Sequence, residues 1–407
     1  MRRRAWIFTA VAVLLALAPK LAAQTIVRVL TYNIHRDVGG NNSNIGSQAQ
    51  LAKVVNYLKP DIWTINELGG NDPTFSATTA HNALVSFIHD QLTIFGANAQ
   101  ENINYFIYIS TIDDSYTTVA IVSRYPFAST HTYSDAGNGF SALRGLALAS
   151  VEVPGPTRLD IFTAHLKALS TTNDAEKRQT EADVDRNNIM SWIGVNGADA
   201  ITVTGDWNET EDAGEMTNWS NHSIGDILPN PNEPYQPITT MRSTGLTDPS
   251  PASIAGNHDT IDSTTPDARF DYAMYAKLAF LNGEVFDTKQ YTAAQLAALN
   301  AANGTSFVAS DSANASDHLP VLALFRVGFA PIITKTAREG GNLAVTYIKV
   351  VASNVTYTVE SSTNLSTWTM AQVSNQIIAE GNGTQTIKAT VSAPTRLFLR
   401  VRANIGP

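Results

Sequence analysis

The feature that most constrains this chain is a change in the pattern of its apolar residues near position 328. From Ile26 to Arg326, short apolar runs such as residues 26–32 alternate with helical stretches such as residues 48–58. This alternation of two periodicities predicts a mixed α/β domain. Beyond Gly328, period-two runs rich in Thr, Ser, Val and Asn are separated by Gly-Asn turns, which predicts a small all-β sandwich.

The domain limits follow from these runs. We predict a catalytic domain over residues 24–328 and a C-terminal β-sandwich module over residues 329–407, because Pro331 closely follows the last strand of the α/β part. A long helix is predicted at residues 175–193. Further strands are predicted at residues 61–65, 105–110, 118–123, 145–153, 159–164, 200–204 and 319–325.

The N-terminus has the layout of a secretory signal peptide. Arginines occupy positions 2–4, an apolar run covers residues 5–18, and Ala22-Ala23 precedes Gln24. A membrane anchor is the alternative, but the run is shorter than the roughly 20 residues that span a bilayer. We therefore expect residues 1–23 to be a signal peptide and the protein to be secreted, to the periplasm or the outside of the cell.

Charge and cysteine content narrow the classes of function. The sequence contains no cysteine, which excludes disulfides and thiol chemistry. Residues 24–326 hold 16 Lys or Arg against 33 Asp or Glu, a net charge of -17, whereas residues 327–407 hold seven against three, a net of +4. An acidic catalytic region repels a polyanion at long range, which argues against tight binding of a nucleic-acid duplex.

Polar side chains recur at the ends of the predicted strands, where a sheet protein gathers groups from distant parts of the chain. Asn33 follows the first strand, Glu67 follows the second, and His165 ends the strand at residues 159–164. A carboxylate at such a place suits a hard cation, and an imidazole can hydrogen-bond a phosphate oxygen. Taken one at a time, the three could equally be a turn residue, a solvated edge residue and a core histidine.

Three more polar groups follow later in the chain. Asp206 and Asn208 stand two residues apart after a glycine turn, so they project in one direction, the first to activate water and the second to hold a phosphate. Asp271 and the Asp317-His318 pair come last. A carboxylate beside a histidine is the usual means of setting its tautomer and raising its basicity.

Together the motifs resemble those of the endonuclease/exonuclease/phosphatase superfamily, which includes DNase I, and they occur in its order. They are Tyr-Asn-Ile-His, Pro-Asp-Ile with Asn-Glu, Ala-His-Leu, Gly-Asp-Trp-Asn, Arg-Phe-Asp-Tyr and Ser-Asp-His-Leu-Pro. The resemblance covers residues 26–326. It implies a four-layer α/β/β/α sandwich, a divalent metal (Mg²⁺, or Mn²⁺ or Ca²⁺), and phosphodiester hydrolysis by in-line attack of water on phosphorus.

The resemblance also implies a role for each residue. Glu67 is similar to the principal metal ligand, with Asn33 and Asp317 as further ligands. His318 is similar to the catalytic histidine, with Asp271 orienting it. The other catalytic candidates, which line the phosphate, are His165, Asp206 and Asn208.

Three positions qualify this picture. Arg144 is an additional candidate for a phosphate contact. His35 stands where some relatives have a carboxylate, and Asn66 stands where glutamine is common, so the number of metal ions stays open.

In the C-terminal module, Trp368 is a candidate for stacking on a sugar. A lone Trp in a β-sandwich more often fills the core, however, and we expect a core position.

The residues leave several functions open. An extracellular nuclease is the first expectation, since export suits the breakdown of nucleic acid. A phospholipid or sphingomyelin phosphodiesterase and a phosphatase of small phosphoesters are alternatives with the same chemistry. A catalytically inert adhesion or matrix-binding protein is an alternative of another class. The C-terminal module is a candidate for contact with lipid or carbohydrate, and no obligate protein partner is inferred.

Overall fold

The computed structural model describes residues 25–40, 43, 47–95, 105–154, 158–169, 171–196, 200–209, 235–261, 268–328, 331–350, 355–381, 384–392 and 397–405. The predicted signal peptide, residues 1–23, lies outside the described residues. The chain forms two compact units, one of residues 26–153 with 158–327 and one of residues 328–405. No helix in the described ranges is both long and apolar enough to cross a membrane.

The larger unit alternates strands and helices as the sequence predicts. Its strands are β1 (Thr25–Asn33), β2 (Ile62–Gly69), β3 (Phe106–Ile109), β4 (Thr117–Ser123), β5 (Phe127–Tyr133), β6 (Leu146–Val151), β7 (Leu159–His165), β8 (Ile201–Asp206), β9 (Asp271–Ala276), β10 (Ala279–Val285) and β11 (Val321–Val327). Its helices are α1 (Gln48–Leu58), α2 (Ala77–Gln91), α3 (Thr172–Asn196), α4 (Pro237–Arg242), α5 (Ala293–Asn303) and α6 (Asp311–Ala315), with 3₁₀ turns at Thr93–Phe95 and Thr288–Gln290.

The larger unit contains two β-sheets. One has six strands in the order β10-β11-β1-β2-β4-β3, and the other has five in the order β5-β6-β7-β8-β9. The pairs β1–β2 and β7–β8 are parallel, so Asn33 lies opposite Asn66 and His165 lies opposite Asp206. Strand β9 runs antiparallel to β8 and begins at Asp271, opposite Asp206. This topology brings the polar strand ends together.

Three apolar clusters show how the layers stack. The first joins the six-stranded sheet to α1 and α2, through residues such as Leu30, Trp63, Leu51 and Phe87. The second lies between the two sheets, and the third joins the five-stranded sheet to α3 and α4. The layers therefore follow the order helix, sheet, sheet, helix, and the expected four-layer α/β/β/α sandwich is confirmed.

Several elements of the larger unit were not predicted from the sequence. They are helices α2, α4, α5 and α6 and strands β5, β9 and β10. Strand β5 is largely exposed and α5 buries only Leu296, so neither has an apolar face that a periodic pattern would reveal. Helix α5 is instead defined by its ends. Thr292 and Gln295 form a capping box, and Gly304 closes the helix with a left-handed φ of 65°.

The smaller unit is all-β. Its strands are β12 (Ile332–Glu339), β13 (Asn342–Val350), β14 (Val355–Ser362), β15 (Thr369–Met370), β16 (Ser374–Gly381), β17 (Thr384–Ser392) and β18 (Phe398–Ile405). They form antiparallel sheets in the orders β12-β13-β17-β16 and β15-β14-β18 around a core that includes Val345, Val359 and Ile387. The expectation for Trp368 was wrong, because it lies half-buried outside this core, with the Arg400 guanidinium 4.4 Å from its ring centre.

Candidate active site

Five polar side chains from separate parts of the chain meet at one end of the two sheets. Asn33, His165 and Asp206 end strands β1, β7 and β8, Asp271 begins β9, and His318 precedes β11. All five are buried, with His318 the most exposed at 7%. Buried polar groups are costly unless they contact one another, so the cluster is held by its own hydrogen bonds.

Asp206 is the centre of this cluster. Its Oδ2 lies 2.9 Å from Asn33 Nδ2, 3.4 Å from His165 Nε2 and 3.6 Å from His318 Nε2. Gly205 makes this placement available, because it has a φ of 138° and a Cβ there would lie 1.9 Å from the carbonyl oxygen of Ala164. Any residue with a side chain at this position would clash with β7, so glycine is needed for β7 and β8 to approach so closely.

His318 and Asp271 form a pair behind Asp206. The Nδ1 of His318 lies 2.8 Å from Asp271 Oδ2, which leaves Nε2 to face Asp206 and Asn33. The backbone around the pair is also fixed. Ser316 Oγ accepts from the His318 amide at 3.1 Å and donates to the Asn33 carbonyl at 2.7 Å, and Thr260 Oγ1 accepts from the Asp271 amide at 3.0 Å.

The electrostatics separate the two histidines. Burial opposes the charge of His318, but the carboxylates of Asp271 and Asp206 outweigh it and raise the pKa of His318 to about 10. Burial raises the pKa of Asp206 to about 7, with His318 lowering it and Asp271 raising it. Burial and the nearby Arg144 hold the pKa of His165 well below its usual range. At neutral pH, His318 is therefore a cation and His165 is a neutral imidazole.

Glu67 stands at the rim of the cluster. It occupies a β-bulge, because the register of β2 against β4 shifts between Ile65 and Leu68, and its φ is 55°. Its Oε1 accepts from Asn33 Nδ2 at 3.2 Å, and its Oε2 lies 3.4 Å from Arg36 Nε. The Glu67 side chain is 18% exposed, so it is within reach of solvent and of an ion.

Three of the predicted site residues lie apart from the buried cluster or are otherwise engaged. Asp317 is 57% exposed, and its Oδ1 lies 3.6 Å from Nδ1 of His35. The guanidinium of Arg144 contacts Asp114 Oδ2 at 2.7 Å and the His165 carbonyl at 3.1 Å. Asn208 donates from Nδ2 to the Leu166 carbonyl at 3.1 Å. Their roles toward a metal or a phosphate stay predictions.

Asn66 is a site residue whose part the sequence did not reveal. Its Oδ1 accepts from the Asp206 amide at 3.1 Å, and its Nδ2 donates to the Ala164 carbonyl at 3.1 Å. The signal available in the sequence was an amide directly before Glu67 in a largely apolar strand. Arg36, next to Glu67, was also missed, because it lies in the turn after β1 rather than on a strand.

The donor set fits a divalent cation. Asp206, Asp271 and His318 each offer a ligand atom within 4.8 Å of the others. Asp271 Oδ1 is buried and has no hydrogen-bond partner among the described residues. This group differs from the predicted ligands Asn33, Glu67 and Asp317, although Asn33 touches both Glu67 and Asp206. Hard carboxylate oxygens favour Mg²⁺, Mn²⁺ or Ca²⁺ over softer ions.

No family model and no curated protein matches the sequence. Among solved structures, the chain is similar to an endonuclease/exonuclease/phosphatase from Beutenbergia cavernae DSM 12333, with 16% identity and a TM-score of 0.47 over 94% of this chain and 93% of that one. It is similar to truncated Caenorhabditis elegans TDP2, with 16% identity and a TM-score of 0.44 over 76% and 100%. It is similar to ANGEL2, a 2',3'-cyclic phosphatase, with 14% identity and a TM-score of 0.47 over 75% and 96%.

At these identities and TM-scores, the activity has to be argued from the chain's own residues. The four-layer sandwich and the converging strand ends are what the motifs in the sequence led us to expect.

Proposed function

We propose that this protein is an exported, divalent-metal-dependent phosphodiester hydrolase. The observation that carries the proposal is the convergence of Asn33, His165, Asp206, Asp271 and His318 on one buried point, with the Glu67 carboxylate at its rim. An inert adhesion protein would gain nothing from so many buried polar groups, since each costs free energy to desolvate. Their combination of carboxylates, an amide and two imidazoles suits the transfer of a phosphoryl group to water.

Each residue has a task that its surroundings permit. Asp271 holds Nδ1 of His318, so the charged imidazole can donate from Nε2 to a phosphoryl oxygen as negative charge develops there. The Asp206 carboxylate, at the centre of the cluster, is placed to accept a proton from the attacking water. The neutral His165 hydrogen-bonds the phosphate, and Asn33 orients the carboxylates around it.

The metal would be held by oxygen ligands at the open side of the cluster. We assign Glu67, Asn33 and Asp206 as its first ligands, because Asn33 contacts both carboxylates, whereas Nδ1 of His318 is engaged by Asp271. When bound, the ion polarises the phosphoryl oxygens and neutralises charge on the leaving oxygen.

We propose nucleic acid as the substrate, cleaved outside the cytoplasm. The export layout of residues 1–23 supports the location, and Arg36 supplies a cationic side chain beside the rim. The charge of -17 over residues 24–326 favours a second candidate, a small phosphoester, because such a substrate is only weakly repelled by an acidic surface.

The test is hydrolysis by the purified protein of plasmid DNA and of bis(p-nitrophenyl) phosphate, a generic phosphodiester. Each is assayed with Mg²⁺, with Mn²⁺, with chelator, and with the His318→Ala variant. We expect metal-dependent cleavage that falls about 10²- to 10⁴-fold in the variant, the usual contribution of a positioned acid or base. Cleavage of the generic diester alone would replace nucleic acid with a small phosphoester, and no hydrolysis of either would overturn the proposal.

A further inference from the structure

Two amides join the two sheets of the larger unit at the active site: Asn33, whose Nδ2 donates to Asp206 at 2.9 Å, and Asn66. Asn66, which is fully buried on β2 of the six-stranded sheet, bonds two strands of the five-stranded sheet at once. Its Oδ1 accepts from the Asp206 amide on β8, and its Nδ2 donates to the Ala164 carbonyl on β7, each at 3.1 Å. Both polar ends of the side chain are therefore used across the interface between the sheets.

Most of the interface between the sheets is apolar and does little to fix the position of one sheet relative to the other. It is packed from residues such as Val29, Ile121, Ala149 and Ile161, and apolar contact is not directional. Besides the Asn33–Asp206 bond and the bonds of Asn66, side-chain hydrogen bonds between the described parts of the two sheets join Tyr108 Oη to Thr132 Oγ1 at 2.7 Å and Thr204 Oγ1 to Thr64 Oγ1 at 2.9 Å. The Thr204–Thr64 bond lies two residues before the Asp206–Asn66 bond on each strand.

The bulge in β2 explains how neighbouring residues serve the same site. In a regular strand, successive side chains point to opposite faces of the sheet. The register shift between Ile65 and Leu68 and the left-handed φ of Glu67 break that rule. Asn66 follows the regular alternation, since Ile62 and Thr64 before it also face the second sheet, whereas the bulge lets Glu67 meet Asn33 at the rim of the cluster.

We propose that Asn66 is a positioning residue that fixes the Glu67 carboxylate, on one sheet, relative to the Asp206 carboxylate, on the other. This inference rests on the proposed function, because it assigns those two carboxylates to one catalytic site. Misplacing a reacting group by about 1 Å can cost a factor of about 100 in rate, so an amide that sets this spacing has a large effect without touching the substrate.

The test compares Asn66→Leu with Thr64→Val. Both are near-isosteric and remove buried hydrogen bonds between the sheets, two in Asn66→Leu and one in Thr64→Val, but only the first lies beside the site. We expect Asn66→Leu to lower kcat about 10- to 100-fold with a much smaller change in KM, and to speed amide hydrogen exchange in the peptide that contains Asp206. Thr64→Val should lower the melting temperature similarly and leave kcat within about twofold.

Equal effects of the two variants on kcat would overturn the proposal, because Asn66 would then contribute only stability. Failure of the proposed function is a separate result. If the wild-type protein cleaves no phosphodiester, the exchange of the Asp206 amide still decides the structural part. Exchange that is unchanged in Asn66→Leu shows that Asn66 does not hold β8 in place.

Discussion

At the scale of single residues, Asn33 connects the two halves of the site. Its Nδ2 contacts Glu67 on the same sheet and Asp206 on the other, and its Oδ1 accepts from the His35 amide at 3.0 Å. An amide can do this because it donates and accepts from one planar group without adding charge. A lysine in place of Asn33 would form ion pairs with both carboxylates, and these would then be less free to bind an ion.

The position of each predicted metal ligand leads to a prediction. Glu67→Gln removes the charge of a carboxylate that contacts the buried cluster, whereas Asp317→Asn removes that of one that is 57% exposed. We expect Glu67→Gln to raise the Mn²⁺ concentration for half-maximal hydrolysis at least about tenfold and Asp317→Asn to change it far less. Metal titrations of activity compare the variants, and an equal effect of Asp317→Asn would make it a full ligand.

The site residues that could be predicted from the sequence are polar residues at or next to the end of a strand. Asp206 and His318 could be predicted because each follows an apolar strand or lies in a short motif, and the structure does bring both into the cluster. Asn66 could not, because its effect depends on how far apart two sheets pack. That distance is a property of the whole interface and of no local pattern.

At the scale of elements, α3 is unusual because it buries charge instead of an apolar stripe. Glu181 and Asp185 on this helix are fully buried beside Asp135, and four of their carboxylate oxygens have no hydrogen-bond partner among the described residues. Among the described residues, Lys177 and Arg144 supply the opposing charge. A helix was predicted from the sequence at residues 175–193, but how α3 packs could not be inferred, because its buried face carries charged residues.

Burial favours the protonated form of these carboxylates. In the described part of the chain, the three do not bring ligand atoms within 4.8 Å of one another as the active-site group does. Burial raises the pKa of Glu181 to about 8, and burial also raises the pKa of Asp135 and, further, that of Asp185. Glu181 Oε2 meanwhile accepts from the Lys167 amide at 2.6 Å, so this helix anchors the segment that follows His165.

The sign of the pH dependence follows from the raised pKa of Glu181. An unfolded glutamate loses its proton near its ordinary pKa of 4.5, but the folded one keeps it to about 8, so the stabilisation is complete below about 4.5 and is lost as pH rises through 8. We expect the free energy of unfolding to fall by several kcal/mol between pH 5 and 9. Glu181→Gln, which keeps an acceptor for Lys167, should flatten that fall.

Urea unfolding at the two pH values measures this effect. Asp183→Asn is the matched control, since Asp183 is exposed on the same helix. A wild-type stability that rises toward pH 9, or a control variant as flat as Glu181→Gln, would contradict the assignment of the effect to the buried cluster.

At the scale of the whole molecule, the charges of the two units differ while the site belongs to one of them. All the candidate site residues, from Asn33 to His318, lie in the larger unit. The change of pattern near residue 328 coincides with the boundary between the two compact units. The substrate did not follow from it, because the loops and surface charge that select a substrate have no periodicity to read.

The acidic charge of the larger unit predicts an unusual response to salt. Proteins that bind nucleic acid through basic faces lose affinity steeply as salt increases, because the release of counterions then gains less free energy. Here the net charge of -17 over residues 24–326 repels a polyanion, and salt screens that repulsion over a Debye length of about 10 Å at 0.1 M. We expect KM for plasmid DNA to stay level or fall between about 20 and 150 mM salt.

The control is bis(p-nitrophenyl) phosphate, a small monoanion whose KM should change little over the same range because long-range repulsion scales with the charge of the substrate. Its kcat also reports any direct effect of salt on the metal site, which would act on both substrates alike. A KM for DNA that rises steeply with salt while that of the small diester stays constant would mean that a local basic surface contacts the phosphates in spite of the net charge. Arg36, at the rim beside Glu67, would then be the first residue to replace.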